Sequence, residues 1–329
     1  MNKKSFLQTS CMMAAFAAFG LCLTACSDDD DNDDKGGGST SGLPTMNDLG
    51  ITHQVTGIKY NDGGVSTFNY VDGRLTSGHT DIDNMDFTIG GSPLTVWCGV
   101  EESDGEKYEE TYTNIKTNSY GAMTYADVTW REEGYGEVFE GTGTMDIEYD
   151  GNRMTRLTMS ETETYAGEAY TYENVFELTW DGDNVNRIKW YYYEGSWEDP
   201  SEKEPSDEGT IVFEYGDDPE TNSGIYPPYL LVDLDFMSYA GLFGRTTSHI
   251  AQSYTYEYGT YEITVSKDSE GRIKDFFEND YLYESYLYDG ETPTASAPAK
   301  TMKAAKADKK RGLMRKIAEK VIARRMARR

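Results

Sequence analysis

Met145-Asp-Ile-Glu-Tyr-Asp-Gly-Asn-Arg-Met-Thr-Arg-Leu157 reads as strand, tight turn and strand. Ile147 and Tyr149 alternate with Asp146 and Glu148, the period of two expected of a strand with one buried face. Asp150-Gly151-Asn152 brings residues that accept positive φ, as a short hairpin turn requires. Arg153 to Leu157 begins the return strand.

The same unit recurs at Phe68–Leu75, Leu178–Ile188 and Ile263–Ile273. Each copy places Tyr, Trp or Val two residues after an apolar residue, then an Asp/Gly turn, then Arg-Leu or Arg-Ile. The repeated arginine has a plain physical role. Its stem can lie across a neighbouring aromatic ring while its guanidinium meets a carboxylate.

Alternation and turn residues predict further strands at 55–60, 65–70, 95–101, 108–116, 123–130, 137–149, 156–165, 170–180, 188–197, 210–215, 252–258, 261–265 and 281–288. The fold class is mainly β: an antiparallel hairpin-repeat meander of about a dozen or more strands in a twisted, partly rolled sheet. The pattern breaks at Tyr226–Gly244. Pro227-Pro228 opens this segment, and Leu230, Leu231, Leu234, Met237 and Leu242 follow at roughly helical spacing. One short helix near residues 230–243 is expected, with a buried strand as the alternative.

The repeat resembles the tyrosine–aspartate repeat, in which successive hairpins stack into a curling sheet. With the interruption ending in Leu242-Phe243-Gly244, the chain also looks like an uncharacterised family of Bacteroidetes surface lipoproteins. That resemblance covers roughly residues 50–288 and brings no activity with it.

The first residues carry an address. Lys3 and Lys4 precede a short apolar run, Met12 to Leu23, and Leu23-Thr24-Ala25-Cys26 looks like a lipoprotein cleavage box. The run is shorter than the ~20 residues a bilayer core demands of a spanning helix. Residues 1–25 are therefore read as a lipoprotein signal peptide, with Cys26 as the lipid (palmitate) attachment site. Ser27 and Asp28–Asp31 resemble the surface-export signal of Bacteroidetes lipoproteins, which implies an outer-membrane, cell-surface location. An acidic and Gly/Ser tether spans 26–47, the β-repeat domain 48–290, a Pro/Ala/Thr linker 291–301, and a basic, partly amphipathic helical tail 302–329.

The net charge of the chain is -28, but it is unevenly placed. From Lys300 to Arg329, thirteen Lys/Arg stand against Asp308 and Glu319, giving +11 and leaving -39 elsewhere. An acidic body repels nucleic acid and anionic surfaces; a basic tail attracts them. The tail is expected to contact an anionic surface or the chain's own acidic body, and no nucleic-acid partner is expected. With Cys11 and Cys22 in the signal and Cys26 acylated, Cys98 is the one thiol left in the mature chain, so no internal disulfide can form.

Candidate chemistry is sparse. His53, His79 and His249 lie far apart, without ligand spacing, so no metal site is expected. Asp81–Asp86 and Asp181–Asn184 cluster oxygen atoms, but neither matches a calcium loop. No Gly-x-Ser-x-Gly elbow or phosphate-binding glycine loop is present. No cofactor and no catalytic residue is assigned.

The strongest surface candidates are aromatic: Trp190, Tyr192 and Trp197, within a strand that also holds Tyr191 and Tyr193. Alternate residues of a strand face opposite sides, so one pair faces outward unless both faces are covered. Outward rings suit a glycan or protein ligand. The sequence thus predicts a lipid-anchored, non-catalytic binding or structural protein. The alternative is an accessory enzyme or glycan-binding protein acting on polysaccharide. A concave cleft with two convergent carboxylates beside Trp190 or Tyr192 would favour the enzyme; a flat aromatic face would favour binding.

Overall fold

A computed structural model of the chain describes residues 43–291, apart from 46–48, 50, 62, 82–83, 102–106, 135–136, 166–167, 195–202, 226–234, 257–258 and 289–290. Sixteen strands are present among the described residues: β1 Val55–Tyr60, β2 Val65–Val71, β3 Arg74–Thr80, β4 Met85–Gly90, β5 Thr95–Glu101, β6 Lys107–Thr117, β7 Met123–Gly134 and β8 Glu137–Asp150. They continue as β9 Arg153–Tyr165, β10 Glu168–Asp181, β11 Asn184–Glu194, β12 Asp207–Glu214, β13 Ser253–Tyr256, β14 Gly259–Lys267, β15 Ile273–Glu278 and β16 Tyr281–Tyr288. Each pairs antiparallel with its sequence neighbour, and β16 returns to pair with β1, with Ile58 opposite Tyr286. The partly rolled sheet expected from the sequence is therefore a closed barrel without free edges.

The repeated unit supplies the curvature. In all four copies the register slips by a bulge where the strand enters its turn: Asn69/Tyr70, Glu148/Tyr149, Thr179/Trp180 and Ser266/Lys267. An extra residue bends and twists its strand, which lets a long meander coil onto itself. Gly151 and Gly182 take φ of 63° and 57° at the turn, where a β-carbon would be strained.

An aromatic side chain locks two of these bulges, at Tyr149 and Trp180, to the preceding strand, and Tyr215 and Tyr288 make the same kind of bond at the ends of β12 and β16. The Tyr149 hydroxyl donates to the Met123 carbonyl at 2.8 Å, and Trp180 Nε1 donates to the Met154 carbonyl at 2.8 Å. The Tyr215 hydroxyl reaches Val185 O at 2.9 Å, and Tyr288 reaches Ile273 O at 2.5 Å.

Two of the four repeat arginines do what their position suggested. Arg153 lies 5.9 Å from the Trp180 ring and donates to Asp183 at 2.5 Å. Arg272 lies 4.4 Å over Tyr288 and pairs with Asp268 at 2.7 Å and Glu291 at 3.1 Å. Arg272→Ala should lower stability, because it removes both the stem's packing on Tyr288 and its bonds to Asp268 and Glu291. Arg272→Lys should recover only part, since an ammonium lacks the planar fork. Urea unfolding of the three proteins measures this.

Wall polarity decides how the barrel can be used. Along β8, Met145 and Ile147 are buried, while Thr142, Asp146 and Glu148 are exposed. Along β4, Met85, Phe87 and Ile89 are buried between Asp86 and Thr88. In register around the outside run Thr111, Thr129, Thr142, Thr162 and Thr171, one from each of β6 to β10. Apolar side chains thus face the interior and hydroxyls and charges face out. A membrane-spanning barrel carries the opposite pattern, with an apolar band outside and a polar lumen.

Sixteen strands enclose more volume than their own side chains fill. The segment between β12 and β13 fills one end. It holds a single-turn helix, α1 (Asp235–Tyr239), inside the range expected from the sequence. Phe236 stacks on Phe87 of the wall, centroids 4.4 Å apart and planes at 16°, and Tyr239 lies against Phe68 at 5.0 Å. Backbone bonds stitch this plug to three hairpin bases: Met123 N to Leu242 O, Arg245 N to Asn152 O and Ser248 N to Asp183 O. The Leu242-Phe243-Gly244 motif sits at that seam, with both apolar side chains fully buried. A β-carbon on Gly244 (φ 76°) would lie 2.7 Å from the Asn152 carbonyl oxygen. Both ends of the described chain meet this plugged end: Arg74 Nε donates to the Leu43 carbonyl, and Glu291 pairs with Arg272 and Lys274.

Candidate binding wall inside the barrel

Away from the plug, the inner wall changes character. On β6, Tyr108, Glu110 and Tyr112 face inward; on β7, Val128 and Trp130; on β9, Glu161 and Glu163; on β10, Tyr172; on β11, Trp190 and Tyr192. Cross-strand pairing sets Glu110 opposite Trp130, Trp130 opposite Gly141 on β8, and Gly141 opposite Glu163. Glycine at 141 is what lets the indole lie flat along the wall, because a β-carbon there would fall 2.3–2.4 Å from the Trp130 ring. Trp190 lies over Gly209 of β12 in the same way.

Inward carboxylates are held by tyrosine hydroxyls. Tyr108 donates to Glu110 at 3.3 Å, Tyr172 to Glu163 at 3.2 Å, Tyr254 to Glu278 at 2.6 Å and Tyr286 to Glu284 at 2.9 Å. Burial, with the charge of Glu161, pushes the Glu110 carboxyl up to about 7. Burial also pushes Glu284 up to about 7. Aromatic faces complete the lining. Tyr108 stacks on Trp130 at 6.4 Å, Tyr172 on Tyr192 at 6.4 Å, and Tyr254 on Tyr261 at 4.9 Å.

Trp190 and Tyr192 are 2 % and 1 % exposed, and both point into the barrel rather than onto an outer face. The outward rings of that strand are Tyr191 and Tyr193, stacked at 6.3 Å. The Lys203 ammonium lies 4.2 Å over Tyr193 and pairs with Glu173. Trp197, Cys26, the tether and the basic tail lie outside the described residues. The wall is concave, but Glu110 and Glu163 stand three strand spacings apart, roughly 14 Å along the sheet.

In the two other clusters raised by the sequence, the described members make bonds within the fold. Asp183 accepts Arg153 and Arg245, and Asn184 Oδ1 accepts the Thr247 hydroxyl and His249 N, which pins the plug to the β10–β11 turn. Asp86 bonds His79 Nδ1 at 2.9 Å. The inward glutamates were missed from sequence. Their signal is parity: Glu110 shares a face with Tyr112, and Glu163 with Leu157 only after counting through Met159 and Glu161.

No protein family and no curated protein matches the chain. Among solved structures, a porin-like protein from Bacteroides vulgatus aligns with TM-score 0.47 and 13% identity, over 72% of this chain and 99% of that one. A porin-like protein from Bacteroides uniformis aligns with TM-score 0.23 and 14% identity, over 62% of this chain and 95% of that one.

Proposed function

We propose that this chain is a lipid-anchored, non-catalytic binding protein of the outer membrane, displayed at the cell surface, whose barrel stands in water instead of crossing the bilayer. The observation that carries the reading is the wall's polarity: threonines and most charges outside, and inside a mainly apolar and aromatic face in which a few glutamates are held by tyrosine hydroxyls. Cys26 supplies the anchor, and sixteen residues separate it from Leu43 at the plugged end. An extended tether of that length spans up to about 60 Å. The plugged end therefore faces the membrane, and the aromatic, carboxylate-lined half of the barrel faces away from it. The basic tail leaves from the plugged end too, beyond Glu291, so we assign it to the anionic membrane surface.

Exchanging residues 1–26 for a non-lipoprotein secretory leader tests the anchor. The exported protein should fractionate as a soluble, folded monomer without detergent. Retention in the membrane fraction through carbonate washing would overturn the reading.

A further inference from the structure

We propose that the rim of the plugged end rests on the lipid headgroup layer through one arc of three hairpin tips, with Val71, Pro93 and Tyr120 at the contact. The inference rests on the lipid-anchored reading above and goes beyond it by naming the part of the barrel that meets the bilayer. Strands β2 to β7 return at this end in three turns, residues 71–74, 91–94 and 117–122, which are neighbours around the barrel. Alternate turns of an antiparallel wall lie about 10 Å apart, so the three tips form one surface. Among the described residues, five large apolar side chains are exposed, and the two at the plugged end both lie here: Val71 at 58 % and Tyr120 at 54 %. Pro93 is exposed on the tip between them. The Tyr120 tip is fixed by its own backbone. Asn118 Oδ1 accepts from Tyr120 N at 2.9 Å and from Ala122 N at 3.1 Å, which closes the turn with Tyr120 at its apex.

Charge separates this arc from the rest of the rim. Its three tips carry one acid and one base, Asp72 and Arg74. The other turns at this end, residues 150–153, 181–184, 215–220 and 267–272, carry eight Asp/Glu against three Lys/Arg. An anionic surface repels that acidic arc. The neutral arc escapes the repulsion. Its tyrosine and apolar side chains suit the headgroup boundary, where an aromatic ring keeps its hydroxyl wet and its body out of water. The tether enters on the same arc: Arg74 Nε donates to the Leu43 carbonyl at 2.7 Å, and Arg74 pairs with Val71 across the β2–β3 turn. Three small tips would not hold a free protein on a bilayer. A tether of sixteen residues from Cys26 keeps them at a local concentration of about millimolar or more, at which a weak contact is populated. The barrel therefore leans toward its β2–β7 side.

The test uses the processed protein, purified in detergent from whole cells and mixed into phosphatidylcholine/phosphatidylglycerol vesicles whose headgroups carry a nitroxide. A fluorophore is attached at Ser119→Cys, beside Tyr120, or at Ser269→Cys, on the acidic arc; both positions are exposed, and Cys98 is buried. Flotation with the vesicles reads the anchor, and quenching reads the contact. The label at 119 should be quenched at least about twofold more than the label at 269. Adding Val71→Ser and Tyr120→Ser, both at exposed sites, should shrink that difference. A floated protein with equal quenching at the two positions, stronger quenching at 269, or a difference undiminished by the double substitution would overturn the proposal and leave the anchor standing. A chain that takes label at Cys26, or does not float, would overturn the anchor and this contact together.

Discussion

Replacing Phe236 by alanine is expected to lower the free energy of unfolding by about 3–5 kcal/mol. Phe236 is fully buried and stacks on Phe87 of β4, so it joins the plug to the wall at the centre of the apolar interior. The cavity left behind cannot close easily. The wall is held by its ladders on both sides of β4, and the plug by backbone bonds at Leu242, Arg245 and Ser248. Phe236→Leu, which keeps much of the volume, should cost far less. Urea titrations of the three proteins decide the matter. A loss below about 1 kcal/mol for alanine would mean that the plug rests in the barrel without contributing to its core.

The second large effect is a pH dependence carried by Glu110. Burial and the nearby Glu161 charge raise its carboxyl from 4.5 to about 7 in the folded chain. Below about pH 4.5 both folded and unfolded chains hold the proton, and the contribution to stability is fully present. Between 4.5 and 7 the unfolded chain releases the proton while the folded chain keeps it. Stability therefore falls as pH rises through that window and levels off above it. The gap between the two values corresponds to about 3 kcal/mol. Glu284 acts in the same direction. Glu110→Gln should flatten the curve by roughly that amount and leave the slope from Glu284, which unfolding at pH 5 and pH 8 would reveal. An unchanged slope in the variant would show that the carboxyl is solvated in the folded protein.

Much of the architecture was legible because alternation and turn chemistry agree. Val55–Tyr60, Thr95–Glu101 and Tyr281–Tyr288 were bounded correctly to the residue. β4 is absent from the sequence expectation although Met85, Phe87 and Ile89 alternate, because the oxygen-rich run Asp81–Asp86 reads as a loop and overlaps its start. β3 and β15 follow only as the return strands of the first and last copies of the unit, without bounds of their own. Closure was not legible, since pairing of β1 with β16 spans the whole chain and leaves no local mark; the bulges that produce it show only in the register. The aromatic strand shows the limit of a period of two. It separates Trp190 and Tyr192 from Tyr191 and Tyr193 but does not say which pair faces in. Parity with Ile188 of the repeat would have settled it, because that position is apolar and buried in the hairpin unit. The inward glutamates escaped notice for a simpler reason. In a chain with 58 acidic residues, a carboxylate on an apolar face does not stand out unless strand parity is followed through it.

The central claim is that the outer face of the barrel meets water. A nitroxide attached at Thr142→Cys on β8, in the full-length protein on intact cells, tests it directly. Cys98 is buried, so labelling is selective. The account predicts that a water-soluble nickel complex relaxes the label strongly and that oxygen dissolved in lipid does so weakly; the reverse ranking would place β8 in the bilayer and contradict it.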